Sequence, residues 1–255
     1  MNHSTPCTAA GSAPITIVTG ASRGLGLALA EQCLAQGHRV LAIARQRPAL
    51  QHPALTVWQA DLADASVVAA QLERWLAAPE QAACSAVTLV NNAGVVSQLA
   101  PLSDVASADL VNALRVGLEA PTLLSAAFLR ATATWTVPRK VLHVSSGLGR
   151  RAMAGSASYC AAKAGLDHLA RATALEEATR PNGARVVSLA PGVIDTDMQV
   201  QLRSADPEAF PERARFVGLK TGGQLDSPPT AAAKVLAYLA RADFGSQPVG
   251  DVRDA

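Results

Sequence analysis

Short apolar runs rich in β-branched residues alternate along the chain with longer segments of helical period. The short runs predict strands at Ile15–Val18, Arg39–Ala44, Thr56–Gln59, Val87–Val90, Lys140–Val144 and Arg185–Leu189, with Val249–Val252 as a last one. Between the first two, Leu25, Ala28, Leu29 and Cys33 recur at i, i+3, i+4 and i+8, so Leu25–Gln36 predicts a helix that stops at Gly37. Further helices are predicted over Asp64–Ala78 (closed by Pro79), Asp104–Ala133 (bent at Pro121), Ser158–Thr179 and Pro228–Arg241. Strands alternating with helices imply an α/β fold, a doubly wound parallel sheet covered on both faces. No linker-like stretch divides the chain, so 14–255 is expected to be one domain behind a flexible tail, 1–13. The segment Asp195–Ser227 differs in texture. It is polar, charged and broken by Pro207, Pro211 and Gly222–Gly223, and predicts a mobile substrate flap with short helical pieces.

Composition narrows the class. The chain has 255 residues, 49% of them hydrophobic, which is too apolar for a disordered chain. A net charge of +2 is too small for a protein that holds nucleic acid by a basic field. No stretch of about 18 apolar residues is free of charges, so no transmembrane helix and no membrane partner are expected. Met1–Ala13 lack a basic start and an apolar run, and do not read as a signal peptide. Cys7, Cys33, Cys84 and Cys160 show no CxxC spacing, and the five His show no HExxH pattern. Free thiols, a cytoplasmic location and no metal are the expectation.

The candidate chemistry begins after the first strand. Thr19-Gly20-Ala21-Ser22-Arg23-Gly24-Leu25-Gly26 is a glycine loop in strand–turn–helix context. Glycines permit a tight turn and close approach to a ligand, and the helix behind presents free N–H groups to a phosphate. At the end of the second strand an acid would bind a ribose 2′-OH, whereas Arg accommodates a 2′-phosphate. No acid lies between Glu31 and Asp61, while Arg45 and Arg47 follow the strand and Arg23 sits in the loop. Either the two strand-end arginines are solvated loop charges or they select NADP(H), and the forked guanidinium favours the second.

Tyr159 and Lys163 stand four apart on the predicted helix and share a face. A nearby ammonium favours tyrosinate, so a lowered phenol pKa is expected for Tyr159 as a proton donor. Ser146 lies thirteen residues earlier and is placed to hold a substrate oxygen. YxxxK alone is a weak signal, but it gains weight beside Ser146 and the glycine loop.

Together with Asn91-Asn92-Ala93-Gly94 and Pro191-Gly192, these motifs resemble the short-chain dehydrogenase/reductase family over nearly the whole chain, Ile15 to about Asp254. The resemblance implies a Rossmann-like fold, Tyr159 as general acid/base, Ser146 orienting the carbonyl, and Lys163 binding the nicotinamide ribose. It also implies cofactor contacts at Gly20, Ser22, Arg23, Gly24, Leu25, Gly26, Arg45, Asp61, Leu62, Asn91, Ala93, Gly94, Pro191, Gly192, Val193 and Thr196. A homodimer or homotetramer is implied as well. One departure stands out: the family's mid-helix Asn, which supports a proton-relay water, is matched here by Gly117. That leaves a non-catalytic NADP(H)-binding module as the alternative to an enzyme. Tyr159–Lys163, Pro191–Gln199 and the chain's close resemble the sepiapterin reductase branch and bacterial benzil reductases. There Asp251 falls on the position of an acid that anchors a pterin ring. The reading is an NADPH-dependent reductase of a small-molecule carbonyl, a pterin-like ketone or an aromatic 1,2-diketone.

Overall fold

The protein was analysed as a computed structural model, which describes residues 13–254. The expected tail, apart from Ala13, lies outside the described residues, as does Cys7. The first half of the chain runs β1 (Ile15–Thr19), α1 (Gly24–Ala35), β2 (Arg39–Ala44), β3 (Leu55–Gln59), α2 (Ala65–Leu76), α3 (Pro79–Ala82) and β4 (Val87–Asn91). There follow α4 (Ser107–Leu114), α5 (Ala120–Ala131), β5 (Arg139–Val144), α6 (Ala157–Ala178), β6 (Arg185–Ala190), α7 (Asp197–Ser204), α8 (Arg213–Thr221), α9 (Pro228–Ala240) and β7 (Val249–Asp251). Pro79 thus opens a one-turn helix as well as closing α2; its missing N–H costs nothing at a first helical position.

All seven strands join one parallel sheet in the order β3-β2-β1-β4-β5-β6-β7. β1 is buried at every position, as a strand covered on both faces must be. On one face Leu72, Leu76, Leu124 and Phe128 pack from α2 and α5. On the other Leu25, Leu29, Val235 and Leu239 pack from α1 and α9. The chain leaves β1 toward β2 on one side and reaches β4 on the other, so the strand order reverses there. In such sheets a crevice opens beyond the carboxyl ends of the strands at the reversal, which is where ligands bind.

One region differs from expectation. The segment 104–133 is a composite, not one helix bent at Pro121. Leu102–Asp104 is a 3₁₀ turn, α4 starts at Ser107, and Arg115–Glu119 form a π-helical turn before α5. The Ala120 N–H donates to the Arg115 carbonyl, five residues back. Pro121 has no N–H to donate, and the widened turn directly before it accommodates that loss. In the segment 195–227 the expected short helical pieces are α7 and α8, which bury Leu202 and Phe216 with Leu99, Met153 and Phe210. Phe210 and Phe216 stack at 5.8 Å between ring centroids. Asp195 anchors the segment's start through Lys220 (2.5 Å) and Arg203 (3.6 Å).

Candidate active site

The crevice at the strand reversal is a cavity of about 1040 Å³, large enough for a dinucleotide fragment and a small substrate. Every site residue singled out from the sequence lines it except Arg47, Asn91 and Asp251. Arg45 and Gln46 line it at the end of β2, whereas Arg47 does not.

The glycine loop is held by its neighbours. Thr19 Oγ1 accepts from the backbone N–H groups of Asn92 (2.9 Å) and Ala93 (3.0 Å). Asn92 Nδ2 in turn donates to the Thr19 carbonyl at 2.9 Å. The loop after β1 and the loop after β4 therefore form one rigid floor. Gly26 is required by this closeness. A Cβ there would lie 2.3 Å from the Gly20 carbonyl oxygen and 2.5 Å from Asn92 Nδ2. The stapling roles of Thr19 and Asn92 were not foreseen, because the hydrogen bonds span more than seventy residues.

Arg23 lines the cavity and pairs with Asp197 of α7 at 2.7 Å. Both are exposed, so the pair contributes little stability, but it links the loop to the segment beyond β6. Asp61 lines the cavity, and its Oδ1 accepts from the Ala63 N–H at 3.0 Å.

Ser146, Tyr159 and Lys163 meet at the cavity's base. Ser146 Oγ accepts from the Leu148 N–H at 3.2 Å, which leaves its own proton free to donate. Lys163 is buried and donates to the Val144 carbonyl at 2.6 Å. Its ammonium lies 5.5 Å from the Tyr159 ring centroid. Burial pulls the Lys163 pKa down to about 8, against the charge of Asp167. Tyr159 departs from expectation. Its surroundings desolvate the phenol and push its pKa up to about 12, and the neighbouring Ser146 hydroxyl only partly opposes this. Burial outweighs any help from the ammonium.

Two predicted residues point elsewhere. Asn91 is 2% exposed and turned into the core, where Nδ2 donates to Ser125 Oγ at 3.1 Å and faces His143 Nδ1 at 3.2 Å. The pleat explains this, since the residue ending β4 points below the sheet while Asn92, Ala93 and Gly94 turn over its edge. Asp251 is 4% exposed, and Arg253 Nε and Nη2 grip its carboxylate at 2.8 and 2.5 Å. That grip holds its pKa below the usual carboxylate range. Arg253, not Asp251, reaches the cavity wall. Gly117 sits in the π turn against α6, where a Cβ would lie 3.0 Å from the Ala162 Cβ. Even a Cβ there would press on the helix between Tyr159 and Lys163.

Beyond the triad the cavity is lined by Leu148, Met153, Met198, Leu202 and Phe216. This apolar chamber was not foreseen, because its residues come from three separated segments. Among the described residues no cluster of three His, Cys, Asp or Glu is arranged to hold a metal, and no helix is long and apolar enough to cross a membrane.

Comparison with known proteins points the same way. The family model described as short chain dehydrogenase matches residues 14–207. The chain is 34% identical over 223 residues to a benzil reductase ((S)-benzoin forming) of Bacillus subtilis, covering 88% of this chain and 92% of the relative. It is 33% identical over 251 residues to the sepiapterin reductase of Meriones unguiculatus, covering 91% and 93%. The crystal structure of a short-chain dehydrogenase/reductase from Burkholderia vietnamiensis superposes with a TM-score of 0.65 at 36% identity, covering 96% of this chain and 99% of that one. A sheet that reverses at β1 and β4, a glycine floor beneath the reversal and family-wide similarity over most of the length together make this chain a member of the short chain dehydrogenase family.

Proposed function

We propose that the protein is an NADPH-dependent carbonyl reductase acting on a ketone or vicinal dicarbonyl beside an aromatic ring. The observation that carries the reading is the meeting of Ser146, Tyr159 and Lys163 in the same cavity as the glycine floor. The floor fits a dinucleotide, because Gly26 lets the start of α1 pack directly against the Gly20 carbonyl, and Gly20, Gly24 and Gly26 all line the cavity. Gly20–Gly26 and the N-terminus of α1 would hold the pyrophosphate. Arg45, with no acid at the end of β2, would take the 2′-phosphate. The reduced nicotinamide, when bound, supplies a hydride to the carbonyl carbon.

The chain's own groups do the rest. Ser146 donates its free hydroxyl proton to the carbonyl oxygen and so fixes its position. Tyr159 keeps its proton at neutral pH, as its raised pKa requires, and gives it to the oxygen as charge develops. A phenol held protonated suits reduction better than the reverse oxidation, which needs tyrosinate. Lys163 spends one of three donors on Val144 and keeps two for a ribose and for the phenol oxygen. The chamber of Leu148, Met153 and Phe216 excludes water and takes a planar apolar group. Benzil and sepiapterin, named in the two relatives, are substrates of this kind. Val111, Leu114 and Leu175 are exposed apolar side chains on α4 and α6, and support the expected homodimer or homotetramer.

Gly117 favours the second reading, a non-catalytic NADP(H)-binding module, since no amide stands at that place to order a relay water. The experiment is NADPH oxidation by the purified protein with benzil and sepiapterin in parallel, with NADH as control. Turnover of either compound with NADPH preference is expected. Tight NADPH binding without turnover of any carbonyl compound supports the binding module instead. Equal use of NADH removes the role given to Arg45.

A further inference from the structure

We propose that Asp167 is a positioning residue of this site: its buried carboxylate serves as counter-charge to Lys163 and ties the Ser146 turn to the helix bearing Tyr159 and Lys163. The kinetic consequence rests on the carbonyl reductase reading, but the electrostatic claim stands without it.

The geometry is as follows. Tyr159, Lys163 and Asp167 are spaced four apart on α6 and share one face. Asp167 is 2% exposed. Its Oδ1 accepts from Ser145 Oγ and from Ser188 Oγ, both at 2.7 Å. Its Oδ2 accepts from Arg150 Nε at 3.2 Å. Arg150 also donates to the Gly250 carbonyl at 2.8 Å. One carboxylate thus joins the end of β5, the middle of β6, the turn after β5 and, through Arg150, β7 to the catalytic helix. The turn closes directly on that helix, since a Cβ at Gly149 would lie 2.9 Å from both Asp167 Oδ2 and the Lys163 carbonyl oxygen. Ser145 precedes Ser146, so this bond fixes the backbone from which the Ser146 hydroxyl is presented.

The charges around Lys163 are equally local. Lys163 faces Tyr159 and Asp167 from its own helix, and His143 and the Val144 carbonyl from β5. Arg150 reaches it only through Asp167. From the loop after β4 it meets Gly94, where a Cβ would lie 3.7 Å from Nζ. His143 is neutral near pH 7, because burial lowers its pKa to about 4. Asp167 is the one carboxylate in this set. A buried ammonium sheds its proton readily unless an anion stands near, and burial already brings Lys163 down to about 8. With Asp167 neutralised, Lys163 would lose its proton close to neutrality and its hold on the ribose and phenol with it.

The test reads Lys163 directly. The chain holds four lysines, so ¹³Cε-lysine NMR of the full chain without nucleotide resolves each, and Lys163→Met identifies the resonance. Asp167→Asn is expected to lower the Lys163 titration midpoint by about one pH unit. Arg150→Gln removes the cation that offsets Asp167 and is expected to raise it. Opposite signs are the signature, because loosened packing alone would not move the two in opposite directions. With substrate, the alkaline limb of kcat should shift the same way in each variant, with little change in KM. An unmoved midpoint in Asp167→Asn, or shifts of one sign in both variants, overturns the proposal. Should Asp167→Asn not fold, Arg150→Gln decides alone, and the absence of an upward shift overturns it. The NMR shifts without turnover of any carbonyl compound would leave this inference standing and sink the activity reading.

Discussion

Gly26→Ala probes the floor of the site most directly. The new Cβ would lie 2.3 Å from the Gly20 carbonyl oxygen, 2.8 Å from its carbon and 2.5 Å from Asn92 Nδ2. Both obstacles are difficult to move. The Gly20 carbonyl belongs to a backbone whose N–H is bonded to Ile43 at 2.8 Å, and Asn92 Nδ2 is bonded to Thr19 at 2.9 Å. Relief needs a shift of roughly 1 Å between the loop and α1, judged against ordinary carbon–oxygen separations. Overpacking of this kind costs about 1–3 kcal/mol. Loss of the Asn92 bond adds about 1 kcal/mol. A total of about 2–4 kcal/mol corresponds to a fall in Tm of about 5–15 °C for a chain of this size. NADPH affinity should fall with it, because the displaced loop is the one proposed to hold the pyrophosphate. The assay is thermal unfolding with and without NADPH, alongside a fluorescence titration for Kd. Gly218→Ala is the control: Gly218 lies in α8 and a Cβ there meets nothing within 4 Å. A Gly26→Ala protein with unchanged Tm and unchanged NADPH affinity would refute the argument.

Other outcomes follow from single residues. Tyr159→Phe should lower kcat by roughly 10²–10⁴-fold while NADPH Kd stays within about twofold, since only the proton donor is removed; steady-state kinetics and a binding titration check both halves. Glu177→Ala should destabilise by about 3–5 kcal/mol in a urea titration. It strands Arg139, whose side chain is 2% exposed against 3% for Glu177. His143 contributes an acid sensitivity. Its folded pKa, about 4, lies below the ordinary 6.5, so the unfolded chain binds more protons between those values and stability falls as pH drops from 6.5 toward 4. The loss reaches about 3 kcal/mol, and urea midpoints of His143→Asn should show a shallower decline over that window. A parallel decline in both proteins would mean that His143 is not its cause.

Much of this was readable from one dimension. Strands such as Ile15–Thr19 are rich in β-branched residues and buried at every position because both faces of the sheet are covered, and their alternation with helices declares a parallel sheet. The glycine loop and the Tyr159–Lys163 spacing are local patterns, set by turn geometry and helical period, so a sequence displays them whole. The departures turn on contacts and burial that exist only in the folded chain. Asp251 has the residue type of an anchor, but Arg253 folds back onto it and occupies it. Asn91 belongs to a motif whose other members line the cavity, yet the pleat sends it to Ser125 and His143. Tyr159 has its ammonium at the expected spacing, but burial decides its proton affinity.

The sequence by itself determined the order of elements, the class of sheet, the glycine loop and the trio Ser146, Tyr159 and Lys163 that the fold brings into one cavity. Those depend on chain-local geometry and on which positions shun water. The tertiary structure alone decided which polar groups keep free valences for a ligand. A carboxylate or amide can face a ligand only if no protein partner has already satisfied it; for Asn91 and Asp167 those partners arrive from elsewhere in the fold, and for Asp251 from Arg253, two residues on.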